Sequence, residues 1–234
     1  TNIPWVADFR DPMIEHDPET GHVFPEEPTR RRVWSAIERL CATRAARATF
    51  CTQGALELTR RRHPQAPVDK WTVIENGYDE ASFADAERRA AARASAGGPR
   101  VLLHSGLLYA SESRNPSAFF DGLVRLRDAG GLIANSLRVV LRASGYDDLY
   151  GKMIGERRLQ ELVKLEPAVP YRDALAEMLT ADGLLVFQGY TSNHAIPAKL
   201  YEYIRARRPI FAMAHAAGDT ARLLRDIGVG SIVP

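Results

Sequence analysis

The chain has 234 residues, 45% of them hydrophobic and 26% charged, with a net charge of +2. This is the make-up of an ordinary globular protein, large enough for one big domain or parts of two. The near-neutral balance gives no electrostatic reason to expect a nucleic-acid partner, and no apolar run approaches the length of a membrane span.

Ile3-Pro4-Trp5-Val6-Ala7 reads as a strand, and it runs into Asp8-Phe9-Arg10-Asp11-Pro12, a charged loop with a proline stop. In an open parallel α/β sheet, loops after the carboxyl ends of strands line the ligand crevice. Asp8, Arg10 and Asp11 are therefore site candidates, with a loop ion pair as the plainer reading of each. His16 to Pro28 is polar and broken by prolines and Gly21, so a mobile loop is expected. Thr29 to Arg47 has the periodicity of a long helix, with apolar positions at Val33, Ile37 and Leu40. A short strand follows at 48–52, a helix at 54–62 and a strand at 70–74, which ends in Glu75-Asn76-Gly77-Tyr78-Asp79 with its Asn-Gly turn signal. Arg30-Arg31-Arg32 and Arg60-Arg61-Arg62 lie in helical patterns and read as solvated faces, or as a basic face resting on anionic lipid. The two cysteines, Cys41 and Cys51, have no metal-ligand spacing and form no disulfide framework, which fits a reducing cytoplasm.

An Ala- and Arg-rich stretch from Phe83 to Gly98, partly helical, reads as a boundary segment. Arg100-Val101-Leu102-Leu103-His104 is then an apolar strand, and Ser105-Gly106-Leu107-Leu108-Tyr109 follows it. A glycine directly after a strand lets a backbone approach a phosphate closely. Arg114 stands a few residues on, just before a helix expected over 116–129. His104 reads first as a core-edge histidine and second as a ligand contact. A strand at 137–142 ends at Ala143-Ser144-Gly145, and Asp147-Asp148 opens a helix, where acidic residues suit the dipole better than they suit a metal. Helical residues are expected over 153–162, a strand at 162–165, a loop Pro167-Ala168-Val169-Pro170-Tyr171 and a helix over 172–179. From residue 100 onward strands and helices alternate with short connections, which implies a parallel sheet with helices on both faces. The first third alternates in the same way but has too few strands for a complete sheet.

Gly183-Leu184-Leu185-Val186-Phe187 looks like a buried parallel strand, and the stretch after it carries the most chemistry. Asn193 or a neighbour can cap the next helix, with Pro197 in its first turn. The N–H groups of Ala198 and Lys199 would then stand at a helix start, which attracts anions, and Lys199 adds a full positive charge. Glu202 lies three residues on, on the same side. A cation and a carboxylate at such a place suit a ligand with both phosphates and hydroxyls, such as a nucleotide. A strand at 210–213, a helix at 219–226 and a strand at 230–233 complete the chain. It enters a strand almost at Thr1 and stops at Pro234 after another, so a piece of a longer protein is expected.

Ile196-Pro197-Ala198-Lys199-Leu200-Tyr201-Glu202-Tyr203, followed by Arg208-Pro209-Ile210, resembles the donor-site signature of glycosyltransferase family 4, whose enzymes have the two-domain GT-B fold. Glu202 stands where the second of two family glutamates holds the ribose of the sugar nucleotide; His194 stands at the first. The Trp5 to Pro12 segment is similar to one near the end of the family's acceptor domain, and Asn76-Gly77-Tyr78-Asp79 to the turn that closes it. Gly106 matches the family's glycine loop and Arg114 its basic residue. The family's frequent Arg after that glycine is Leu107 here, and a Gly before the Arg-Pro is Arg207.

The resemblance implies an α/β fold: a Rossmann-like donor domain of GT-B type over 100–234, a linker over 85–99 and part of a second Rossmann-like domain over 1–84. It implies sugar transfer with retention from a nucleotide diphosphate sugar to an acceptor hydroxyl, in surface glycan or polysaccharide synthesis. Donor-binding residues would be Gly106, Leu107, Arg114, Val169, Ile196, Ala198, Lys199 and Glu202, with Arg114, Lys199 and Glu202 as the catalytic set. Asp8, Arg10, Asp11 and His194 would face the cleft or acceptor. The nucleotide sugar is a substrate, and neither a cofactor nor a metal is expected. Partners would be that donor and a glycan or lipid-linked acceptor, with no nucleic acid, at the inner face of a membrane. The isolated chain is expected to bind nucleotide weakly and to transfer no sugar. Two rivals share the architecture: a non-catalytic nucleotide-binding or scaffold module, favoured by His194, Leu107 and Arg207, and a nucleotide-sugar epimerase, for which Asp8 and Asp11 would supply carboxylates. The α/β pattern alone also allows a flavodoxin-like or dinucleotide-binding domain, but no Gly-x-Gly-x-x-Gly opens a βα unit.

Overall fold

A computed structural model describes residues 3–16, 23–93, 97–109, 115–131 and 136–233. Two parallel sheets organise them. The first has three strands in the order β1 (Val6–Phe9), β4 (Arg47–Phe50) and β5 (Trp71–Val73). Helix α1 (Pro28–Arg44) and helix α2 (Gln53–Arg62) join them. β1 pairs with β4 from Val6 opposite Arg47 to Phe9 opposite Phe50. The expected strand at 3–7 is thus shifted toward the carboxyl end, and Asp8 belongs to the strand rather than to the loop. The segment expected to be a loop from His16 holds a short antiparallel pair, β2 (Glu15–His16) with β3 (Val23–Phe24).

The core of this unit is small and aromatic. Phe9 stacks on Phe50 at 5.1 Å, and Trp71 tilts against Phe50 at 5.9 Å. Ala42 and Ala45 from the end of α1, and Ala55 and Leu56 from α2, close the other side. α1 does not turn its apolar stripe inward: Val33, Ile37 and Leu40 are 51%, 42% and 54% exposed. Its buried residues are Glu38 and Ala42. Glu38 is matched by groups outside α1. Arg62 Nε and Nη2 each donate to the Glu38 carboxylate at 2.8 Å, and His63 Nε2 is 2.9 Å from Oε1. A buried carboxylate is tolerable when its lone pairs are matched in this way.

Helix α3 (Glu80–Arg93) follows. Residues 85–93 of the segment read as a linker are therefore helical, and Phe83 and Ala86 are wholly buried in the core of the second sheet. That sheet has six strands in the order β11 (Ser231–Val233), β10 (Ile210–Ala214), β9 (Gly183–Gln188), β6 (Arg100–Ser105), β7 (Leu137–Arg142) and β8 (Val163–Glu166), all parallel. Every residue of β9 is buried, and its side chains alternate between two cores. Leu184 and Val186 pack with α3, with α6 (Tyr171–Thr180), with α7 (Ala198–Ala206) and with Leu224 of α8 (Asp219–Asp226). Leu185 and Phe187 pack with α4 (Ser117–Asp128) and α5 (Asp147–Glu156). Each such side chain contributes roughly 1.5–3 kcal/mol on burial, so the central strand anchors both layers. α5 stops at Glu156, short of the helical stretch expected to run to Leu162. This is the predicted α/β architecture, a parallel Rossmann-like sheet covered by helices on both faces.

Candidate functional site

The strand order places the site. β6 and β9 are neighbours, but the chain continues from β6 toward β7 and β8, and from β9 toward β10 and β11 on the other side. The loops leaving two such strands diverge, and a crevice opens between their carboxyl ends. The loop at Gly106 and helix α7, which follows the loop after β9, both lie at this reversal.

Gly106 has φ +106°, the left-handed region that a side chain disfavours, and its N–H donates to the Arg142 carbonyl at 2.9 Å. A Cβ at this position would meet Lys199 Nζ at 2.9 Å and Cε at 3.4 Å, so the ammonium lies directly against the glycine backbone. Lys199 Nζ is also 3.2 Å from His104 Nε2. His104 is buried, and its Nδ1 is 2.9 Å from the Leu185 carbonyl. A carbonyl only accepts, so Nδ1 carries the proton and Nε2 offers its lone pair to the ammonium. His104 is thus the support under Lys199, closer to the core-edge reading of the sequence than to a ligand contact. One turn beyond Lys199, the wholly buried Tyr203 accepts a hydrogen bond from the Ser105 N–H at 2.9 Å. Burial holds its phenol well above the usual tyrosine range. Helix α7 is therefore fastened to the β6 loop at two levels.

Glu202, on the same helix, is half-buried and accepts from the Tyr171 hydroxyl at 2.7 Å. Ile196 is buried beneath the start of α7, Ala198 is exposed at its first position, and Val169 is half-buried in the loop before α6. Leu107 is exposed beside Gly145. Arg114 lies outside the described residues. Pro197 occupies the cap position of α7 with no side-chain cap bond, so Asn193 does not cap this helix. Its amide donates to His215 Nδ1 at 3.1 Å and its carbonyl accepts from the Asp219 N–H at 2.8 Å.

The first unit meets this crevice with the carboxyl ends of its own strands. Asp8 accepts from the Thr49 hydroxyl at 2.7 Å, and Arg10 donates to the Asn76 side chain at 3.1 Å. Asp8, Arg10 and Asp11 all act electrostatically on Cys51, whose thiol is pushed up chiefly by burial. They therefore gather at one sheet edge, Asp8 and Arg10 through polar contacts within their own unit. His194 stands across from them, with Nε2 3.5 Å from Glu15 Oε2 and its carbonyl accepting from the Thr52 hydroxyl. Asp219, buried at the start of α8, accepts from the Gly54 N–H at 2.7 Å. Tyr201 lies where the two units meet. Burial first, then Glu75, Cys51 and Asp219, push its phenol up to about 12. Its buried hydroxyl has no hydrogen-bond partner among the described residues. The described residues hold no group of three or more metal-ligating side chains, and none of their helices is long and apolar enough to cross a membrane.

The polar partners that sequence reasoning missed are Tyr171, Tyr203, Thr52 and Asp219. Tyr171 and Tyr203 lie in segments the sequence singled out, the loop before α6 and the Ile196–Tyr203 signature, but nothing local named their partners.

No family model matches the sequence, and no curated protein is detectably similar to it. Solved structures are. WaaG, a glycosyltransferase involved in lipopolysaccharide biosynthesis, superposes with a TM-score of 0.64 and 16% identity, over 88% of this chain and 54% of its own. HepE from Anabaena, crystallised with UDP and glucose, gives 0.65 and 17% identity over 98% of this chain and 57% of its own. Sucrose-phosphate synthase from Thermosynechococcus elongatus gives 0.67 and 15% identity over 100% and 55%. The chain spans about half the length of each. At these identities the likeness shows the fold, the Rossmann-like architecture of GT-B glycosyltransferases.

Proposed function

We propose that this chain forms most of the donor site of a retaining glycosyltransferase of family 4, one that moves a sugar from a nucleotide diphosphate sugar to an acceptor hydroxyl in surface glycan synthesis. The observation that carries the reading is the Lys199 ammonium lying against the Gly106 backbone at the sheet's reversal, with Glu202 three residues further along the same helix. The diphosphate would rest over Gly106 and Lys199, and the ribose beside Glu202. The similarity to HepE, which was crystallised with UDP and glucose, and to WaaG supports a nucleotide-sugar donor and a glycan acceptor.

During transfer the bond between the anomeric carbon and the β-phosphate oxygen breaks. The electron pair stays on that oxygen, and the nucleoside diphosphate leaves with added negative charge. A fixed cation stabilises charge where it develops and needs no reorganisation at that moment. Lys199 serves this role, with His104 holding the ammonium in place through a neutral ring nitrogen; Arg114 is expected to add a second cation. The acceptor oxygen forms the new bond to the anomeric carbon, and its proton passes to the departing phosphate oxygen that has taken the electron pair. Glu202 positions the ribose and takes no part in bond making. Closure of the acceptor side over the crevice would exclude water.

Calorimetric titration with UDP, GDP and ADP tests the reading. One nucleotide should bind saturably, and Glu202→Ala should weaken it about tenfold, the worth of a hydrogen bond to a charged group. No binding of any of the three would remove the donor-site assignment for this chain.

A further inference from the structure

Glu202 has a partner within the fold itself. The Tyr171 hydroxyl reaches it at 2.7 Å and takes one lone-pair position on Oε1. A carboxylate offers about four such positions over its two oxygens, so Oε2 can still accept. Burial, then Glu202, push the Tyr171 phenol up to about 12, which keeps it a proton donor at neutral pH. The ring itself is 49% exposed, at the first position of α6. Arg172 reaches Asp85 at 3.3 Å and Asp173 pairs with Arg89 at 3.4 Å, which ties the first turn of α6 to α3. Tyr171 thus fixes one oxygen of the Glu202 carboxylate through a hydrogen bond made within the protein. A carboxylate held in this way favours a ligand with adjacent hydroxyls, because less side-chain freedom remains to be lost on binding.

We propose that Tyr171 is a positioning residue that sets the Glu202 carboxylate for the paired hydroxyls of a ribose and so makes this site select ribonucleotides over nucleotides that lack those hydroxyls. The inference rests on the donor-site reading above and adds to it the residue that determines sugar discrimination within the nucleotide.

The test is calorimetry of the whole chain with UDP, GDP and ADP and with their 2′,3′-dideoxy counterparts, on the wild type, Tyr171→Phe, Glu202→Gln and the double variant. The wild type should prefer the ribonucleotide by about tenfold or more, the worth of a hydrogen bond to a charged group. Tyr171→Phe keeps the ring and should lower that ratio severalfold while leaving affinity for the dideoxy form unchanged. The double variant should discriminate no worse than Glu202→Gln alone, because the two residues act as one unit. A wild-type ratio in Tyr171→Phe would overturn the proposal, as would an equal loss for both nucleotide forms, the sign of a merely structural role. If the wild type bound no nucleotide at all, the donor-site reading would fail, and this inference with it.

Discussion

Two tyrosines two positions apart on α7 should respond in opposite ways to the loss of one oxygen. The Tyr203 hydroxyl accepts from the buried Ser105 N–H, so Tyr203→Phe leaves that donor unmatched. A cost of about 1–3 kcal/mol is expected in urea unfolding. The Tyr201 hydroxyl is buried without a partner among the described residues, so Tyr201→Phe should be neutral or slightly stabilising in the same assay. Lys199 makes a different kind of contribution, through charge at a fixed place. Lys199→Ala should lower affinity for a nucleoside diphosphate by about tenfold to a hundredfold and leave affinity for the free nucleoside nearly unchanged. Equal losses for both would mean that Lys199 does not contact the phosphates.

Individual elements owe their stability to partners outside themselves. α3 is held to α7 by Arg205, which bonds Glu80 and Glu87 and lies 5.0 Å over the Phe83 ring. The entry to the central strand is set by Asp182. It accepts from the Val101 N–H at 2.8 Å and pairs with Arg100, and these bonds, the backbone one first, hold its carboxyl below the usual range. A carboxyl with a lowered folded pKa contributes stability that is full above its unfolded value, about pH 4, and is lost as pH falls through the folded value. The melting temperature should therefore drop in acid, below about pH 4. Asp182→Asn should flatten that acid limb, since its amide oxygen can still accept from Val101 but no longer titrates.

At the scale of the whole molecule, the start of α2 meets the start of α8 in close contact. Gly54 donates its N–H to Asp219, and a Cβ there would meet the Asp219 carboxylate at 2.5 Å and the His194 Cα at 3.1 Å. The side chain could shift, but the backbone contact leaves less room. Gly54→Ala should push α2 away from α8, lower the melting temperature and speed amide exchange at the start of α8. The glycine is needed for close approach between units rather than for its own backbone angles, since its φ lies outside the left-handed region. Unchanged exchange at 219–222 would show that the contact yields without cost.

The elements themselves were legible because their signals are local. The buried run at 183–187, the helix at 219–226 and the strand at 137–142 each carry their own periodicity. The helical spacing of Lys199 and Glu202, and the glycine after an apolar strand, were readable for the same reason. What the sequence could not show is which distant groups these residues would meet. His104 supports Lys199 from 95 positions away, Tyr171 reaches Glu202 across 31, and Gly54 meets Asp219 across 165. Such partners come together only when the strand order is set. Which side of α1 is buried was not legible on the same ground, because Glu38 meets Arg62 and His63 only at the end of the neighbouring helix. Periodicity along the chain determined the α/β class and the candidate residues. The tertiary structure alone decided their neighbours, because contacts between residues far apart in sequence depend on topology rather than on local propensity.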